Sequence, residues 1–342
     1  MKLSLLAAWA LGVNAVSYKG VDWSSAIVAE NAGAVYKNSA GTAQSLESIL
    51  KANGVNTVRQ RLWTSSGNYG LNYNLNLAKR AKAAGLNIYL DLHFSDTWAD
   101  PGSQSPPSAW SSLGIDDLAD KVYHYTMDTM NSFAAAGISI SLVSIGNEIS
   151  NGFLFPLGKL GTTTGNYNCA RLLHSASSGI RDSKISGAKI LIHVANGWNF
   201  ATQKYFYDTV LGAGPLTSAD YDVQAVSYYP MYGSGATLAS LKSSLSQMSS
   251  KYGKSVMVVE TNWPVSCPNP SSAFPSDLSS IPFSAAGQAT FLKDVAGVAG
   301  SGLMYWEPAW LKNAGLGTSC DDNLMFDQTG TARGSLSVFS GL

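Results

Sequence analysis

Two glutamates stand where buried strands give out. In "LVSIGNEI" an apolar run ends at Gly146-Asn147-Glu148, and in "VMVVETNWP" another ends at Glu260. A carboxylate at the end of a buried run is costly to desolvate and needs a partner or a use. Each glutamate alone reads equally well as half of a structural ion pair. Together they suggest a reaction. Paired carboxyl groups flanking a glycosidic bond cleave it when one protonates the leaving oxygen and the other attacks the anomeric carbon. The two lie 112 positions apart, so only a fold that gathers strand ends can bring them to one bond.

Other runs add polar and aromatic groups. "VRQRLW" carries Arg59 and Arg61 in an apolar strand, a costly arrangement unless they are paired. Arg59 is placed to hold the nucleophilic carboxylate ionised, with a structural ion pair as the plainer reading. Tyr229 of "SYYP" can donate a hydrogen bond to the same carboxylate, and Trp306 of "YWEP" can form an aromatic floor. Both types also serve in ordinary core packing. His193 lies deeper in its strand and reads as a satisfied core histidine. "DLHFSDTWADPGSQ" contains Asp91, His93, Asp96 and Asp100, which could suggest metal ligands. A hydrolytic metal site would need histidines at other strand ends as well. The chain has four in all. Sugar contact by His93, Asp96 and Trp98 is the better reading, and no metal or other cofactor is expected.

The elements that must position these groups repeat along the chain. Runs rich in β-branched and aromatic residues begin at positions 18, 56, 86, 140, 189, 222, 255 and 301. Several are apolar throughout, as strands buried on both faces are. Helical patterns separate most of them. "QSLESILKANG" and "NLAKRAKAAG" end in glycine, a stop signal, and "IDDLADKVYHYTMDTMNSFAAAG" starts acidic and ends the same way. Eight strands alternating with helices predict a parallel sheet closed as a single-domain (β/α)8 TIM barrel. A doubly wound open sheet is the alternative, but no glycine-rich phosphate turn follows the first strand. The long irregular stretches at 95–115, 150–166 and 263–283 all follow strand ends. In a barrel they share the face on which active sites sit. Sequence distance is then no obstacle to Glu148 and Glu260 working together.

Composition narrows the partners. Lys plus Arg and Asp plus Glu both number 22, so the formal charge is zero and a nucleic-acid surface is not expected. Nine Trp, sixteen Tyr and eleven Phe are a heavy aromatic load, suited in part to the apolar faces of sugar rings. Lys2 followed by an apolar run over 3–13 and then small residues reads as a secretory leader over 1–17, too short for a membrane span. The barrel then occupies 18–342. A secreted, extracellular monomer with no membrane association is expected. Of three cysteines, Cys169 falls in a helical pattern, while Cys267 and Cys320 lie in loops and form the better disulfide pair in an oxidising compartment.

"RQRLW", "DLHFSDTWADPGSQ", "SIGNEI", "VVETNWP" and "YWEPAW" together resemble glycoside hydrolase family 53, over essentially residues 18–342. That family comprises secreted endo-β-1,4-galactanases acting on pectic galactan and type I arabinogalactan. The resemblance implies Glu148 as acid/base and Glu260 as nucleophile. Asn147 would contact the 2-hydroxyl, and Arg59, His93, Tyr229 and Trp306 would line the subsite of the cleaved bond. Asp96, Trp98 and Trp310 would read the shape of a galactan chain. Some members carry calcium in the late loops. Here those loops hold Cys267 and Cys320, as in fungal-type members, and "CDDN" at 320–323 is the remaining calcium-like sequence. The alternatives are a related barrel enzyme acting on glucan or mannan, and a barrel that binds sugar without cleaving it.

Overall fold

Eight parallel strands close on themselves in chain order in the computed structural model, which describes residues 16–342. The leader expected over 1–17 falls almost wholly outside the described residues. The strands are β1 (Tyr18–Asp22), β2 (Thr57–Leu62), β3 (Asn87–Leu92), β4 (Leu142–Ile145), β5 (Lys189–Val194), β6 (Val223–Tyr228), β7 (Ser255–Thr261) and β8 (Gly302–Tyr305). Each coincides with one of the eight sequence runs. β1 pairs with β8 to complete the ring. The fold is therefore the expected (β/α)8 barrel.

Helices return the chain from the end of one strand to the start of the next: α1 (Ala26–Asn31) and α2 (Leu46–Ala52), α3 (Leu71–Ala83), α4 (Ile115–Ala135), α5 (Thr163–Arg181), α6 (Phe200–Ala213), α7 (Leu238–Tyr252) and α8 (Ala285–Ala296). Their limits follow from local chemistry. Asp116 and Asp117 occupy the first turn of α4, where backbone N–H groups are unpaired. Thr162, Asn199, Thr237 and Ser284 cap α5, α6, α7 and α8 by accepting from a backbone N–H. The circuit departs from regularity twice. Two short helices share the first crossover, and a 3-10 helix over Gly334–Gly341 packs against α8 where an eighth crossover helix would lie.

The barrel interior is filled by Tyr89, Leu142, Leu191, Val223, Ala225, Met257, Val259 and Met304. A larger apolar layer lies between strands and helices, with Leu90, Val143, Ile192, Val226 and Val258 on the strand side. Inward and outward residues thus alternate along each strand, until β7. There Val226 pairs with Val258 and Ser227 with Glu260, so Val259 lacks a partner. Val259 already faces inward, and strict alternation would send Glu260 toward the helices. The irregularity turns Glu260 back over the barrel mouth, a common use of a bulge near a functional site. Beyond the strands, Cys267 and Cys320 form a disulfide joining the loops after β7 and β8. Cys169 is free and buried in α5, and burial pushes its thiol up to about 12.

Candidate active site

Arg59 is the hub of the barrel mouth. Its register partner across β1–β2 is Asp22, and both are buried. Nη1 donates to Asp22 Oδ2 at 2.7 Å, while Nη2 lies 2.7 Å from Asp91 Oδ2, 2.7 Å from Glu260 Oε1 and 2.9 Å from Asn147 Oδ1. Burial alone would strip the charge from the guanidinium, but Asp91, Glu260 and Asp22 more than offset this and hold it protonated. Burial would likewise raise Asp91, yet Arg59 and His93 keep it below the ordinary carboxylate range. His93 fits between two fixed partners. Trp63 Nε1 donates to its Nδ1 at 3.2 Å, so Nε2 carries the proton offered to Asp91 Oδ2 at 3.0 Å.

The two glutamates reach the mouth by different local devices. β4 ends at Ile145, three residues before Glu148. Gly146 takes φ 104°, and a Cβ there would meet Ile149 Cγ2 at 2.7 Å. Glu148 itself takes φ 47°. A left-handed non-glycine residue costs about 1–3 kcal/mol and persists only where its surroundings demand it. Here Ile149 N donates to His193 O at 2.9 Å and ties the turn to β5. Glu260 comes from the irregular end of β7. Its Oε1 pairs with Arg59, and its Oε2 accepts from Tyr229 Oη at 2.9 Å.

Protonation follows from this asymmetry. Burial is the largest influence on both carboxyl groups and lifts each above the ordinary carboxylate range. Arg59 pulls Glu260 down, as expected from the sequence, but burial and the facing Glu148 outweigh it. Such a pair gives up its protons in two separated steps. Between them it holds one proton. Two donors, one of them cationic, point at Glu260, whereas Glu148 makes no ion pair with Arg59 and has the Ser227 hydroxyl as the main group favouring its charged form. Charge therefore rests on Glu260 and the proton on Glu148. The Tyr229 phenol is raised well above its ordinary range by burial and by both carboxylates, so it remains a donor.

Glu148, Glu260, Tyr229, Trp98, Trp306 and Trp310 line one cavity of about 720 Å³. Arg59, Asn147 and His93 lie beneath it as its support. Asn147 is held at three points: Oδ1 by Arg59, one Nδ2 hydrogen by Ala99 O at 2.8 Å, and its own carbonyl by Gln104 Nε2 at 2.8 Å. Asp96 is outside the cavity lining. Its carboxylate accepts from Thr64 Oγ1 at 2.6 Å and from Ser108 N and Oγ at 2.8 Å each, which fastens the loop after β3. It lies two residues before Trp98, in the loop that carries that ring. Asp322 of "CDDN" pairs with Arg333 Nη2 at 2.7 Å, so a cation already occupies that carboxylate. Among the described residues no group of three or more His, Cys, Asp or Glu side chains could hold a metal.

Sequence reading missed several participants. Ser227, Tyr232, Asn196, Asn262 and Asn313 also line the cavity. His193 donates or accepts at Ser227 Oγ, 2.8 Å away, and burial drives its pKa down to about 3, so it is neutral. Ser227 was recoverable from alternation, since it follows the inward-facing Val223 and Ala225 on β6. Asn313 sits in an irregular loop and left no such signal.

Comparison with known proteins agrees with this geometry. The family model described as glycosyl hydrolase family 53 matches residues 18–339. An arabinogalactan endo-β-1,4-galactanase A of Emericella nidulans is 56% identical, with 96% of this chain and 95% of that protein aligned. An arabinogalactan endo-β-1,4-galactanase of Thermothelomyces thermophilus is 55% identical over 95% of this chain and 99% of its own length. A solved fungal β-1,4-galactanase superposes with a TM-score of 0.93 at 54% identity, covering 96% of this chain and all of the other.

Proposed function

The chain belongs to glycosyl hydrolase family 53, and we propose that it is a secreted, retaining endo-β-1,4-galactanase acting on galactan side chains of pectin and on type I arabinogalactan. The domain is the barrel of residues 18–342 behind a leader of 1–17, and it works as a monomer. The observation that carries the reading is the asymmetry of the carboxyl pair: Arg59 and Tyr229 both bind Glu260, which leaves the proton to Glu148. No helix among the described residues is long and apolar enough to cross a membrane.

The steps follow from that asymmetry. Galactan lies across the cavity with its scissile bond between the two carboxyl groups. Glu148 gives its proton to the glycosidic oxygen as Glu260 attacks the anomeric carbon and the bond to the leaving chain breaks. Glu260 loses its charge in the resulting ester. The facing repulsion disappears, and Glu148, now ionised, is free to take a proton from water. The water oxygen bonds to the anomeric carbon, the ester breaks, and the anomeric configuration is retained. Arg59 and Tyr229 hold Glu260 in line and receive its charge back.

Chromatography and NMR of early products from purified β-1,4-galactan test the reading. Internal cleavage with the β-anomer appearing first is expected, with little action on carboxymethylcellulose or mannan. An initial α-anomer would remove the nucleophile role from Glu260. Comparable kcat/KM on cellulose would overturn the substrate. Sequencing the N-terminus of protein from the culture medium tests the leader.

A further inference from the structure

A second buried ion pair lies under the aromatic wall of the cavity, and the steps above make no use of it. Arg61 is 1% exposed. Its Nη1 donates to Glu307 Oε1 at 2.6 Å and its Nη2 to Ser25 Oγ at 2.8 Å. Ser25 in turn donates to the same Glu307 oxygen from its backbone N at 3.0 Å and from Oγ at 2.8 Å. Glu307 follows Trp306 directly and takes φ 46°, a left-handed conformation that swings its carboxylate down behind the wall. The guanidinium faces three rings: Tyr69 with its centroid at 4.2 Å, Trp98 at 4.5 Å and Trp310 at 5.5 Å. Trp98 and Trp310 are both half-buried and line the cavity, with interplanar angle 25° and centroids 6.4 Å apart.

We propose that Arg61, clamped by Glu307, is a positioning residue that fixes the Trp98–Trp310 wall and thereby sets how tightly the enzyme grips galactosyl units away from the bond that breaks. The two tryptophans stand on different loops, after β3 and after β8. Loops on opposite sides of a chain closure need a common reference, and the guanidinium touches both. Neutralising a buried charge needs only a carboxylate. Stacking against three rings needs the flat, rigid head of arginine, which lysine cannot replace. A purely structural ion pair would have no reason to sit under rings that face a ligand cavity. Arg61 also lies 3.8 Å from Asp22, the residue that Arg59 uses, so an effect on the nucleophile is the rival account.

The proposal rests on the endo-galactanase reading, and the two fail separately: the wild type's action on galactan tests that reading, and the variants test this one. Arg61→Lys keeps a cation for Glu307 and removes the flat face. On β-1,4-galactan its KM is expected to rise about tenfold, with kcat within about twofold of wild type, as loss of stacking worth about 1.4 kcal/mol requires. Both limbs of the pH profile should stay in place, and the near-ultraviolet circular dichroism of the tryptophans should change. Glu307→Gln, close in shape, carries the test if the first variant fails to fold, and should move KM the same way by a smaller factor. A fall in kcat at constant KM, or a displaced pH limb, would assign Arg61 to the nucleophile through Asp22. A lower Tm with unchanged KM and kcat would make the pair structural. Either result overturns the proposal.

Discussion

Tyr229→Phe tests which carboxyl group carries the charge. The substitution removes one hydroxyl and little else, because the ring also packs against Tyr232 at 5.7 Å. The lost interaction is the 2.9 Å hydrogen bond to Glu260 Oε2. A hydrogen bond to an ionised group contributes about 1.5–3 kcal/mol, and one pKa unit corresponds to about 1.4 kcal/mol. Arg59 remains bound to Oε1 and takes up part of the deficit, so the lower end applies and the shift is about one unit upward. The active pair holds one proton, and gaining a second means protonating Glu260. The acidic limb of kcat/KM should therefore move up by about one unit, so that on that slope the variant has about one-tenth of the wild-type activity. The alkaline limb belongs to proton loss from Glu148, which Tyr229 does not bind, and should stay where it is in the wild type. Initial rates of reducing-end release at low galactan concentration, taken across pH, read both limbs. Movement of the alkaline limb alone would place the charge on Glu148 and reverse the two roles. If neither limb moved, Tyr229 would have no ionised partner.

Other perturbations address the remaining parts. Glu260→Ala should abolish turnover on every substrate, whereas Glu148→Ala should still form the glycosyl-enzyme from aryl galactosides with good leaving groups; azide should then speed its turnover and yield a β-galactosyl azide, detected by NMR. Replacing Cys267 and Cys320 together by serine opens a loop closed across 53 residues, a loss of at most about 4 kcal/mol in the chain-entropy model, read as a lowered Tm; non-reducing peptide mapping should show this one cross-link, with Cys169 alkylated only after unfolding. Glu148 is raised from its usual 4.5 to about 7, so the native state binds its proton more tightly than the unfolded chain does. The stability this gives is complete below about pH 4.5 and is lost as pH rises through about 7, so Glu148→Gln should raise Tm more at about pH 8 than at about pH 5.

The architecture was legible because each strand is an apolar run bounded by turn residues, and helix patterns with glycine stops separate most of them. "FATQKYFYDTVLGA" gave no clear helical reading, and α6 formed there under an Asn199 cap. The carboxyl pair was legible for a related reason: a carboxylate ending a buried run violates the pattern of its neighbours. Geometry that depends on a single backbone irregularity was not. On β7, alternation from Met257 and Val259 would direct Glu260 outward, and only the unpartnered Val259 reverses it. The same holds at Glu148 and Glu307, whose left-handed backbones at φ 47° and φ 46° are invisible in residue type because glutamate has no preference for that region.

Asp96 shows the opposite difficulty. Its residue type and its motif both suit sugar contact, yet Thr64 and Ser108 occupy both of its oxygens. Those partners come from the loop after β2 and from a short 3-10 turn over Ser108–Trp110, and no local pattern ties either to position 96. A motif therefore gathers two kinds of residue that sequence cannot separate: those that meet the ligand and those that hold the first kind still. In this barrel Trp98 and Glu148 face the cavity, while Asp96, Asn147, Arg59 and Arg61 stand behind them with most of their polar atoms bound to protein, the Nε of each arginine excepted. The distinction is energetic. A side chain whose hydrogen bonds are already satisfied by protein gains little from a sugar hydroxyl. One that is left half-buried and unpaired has that capacity still to use.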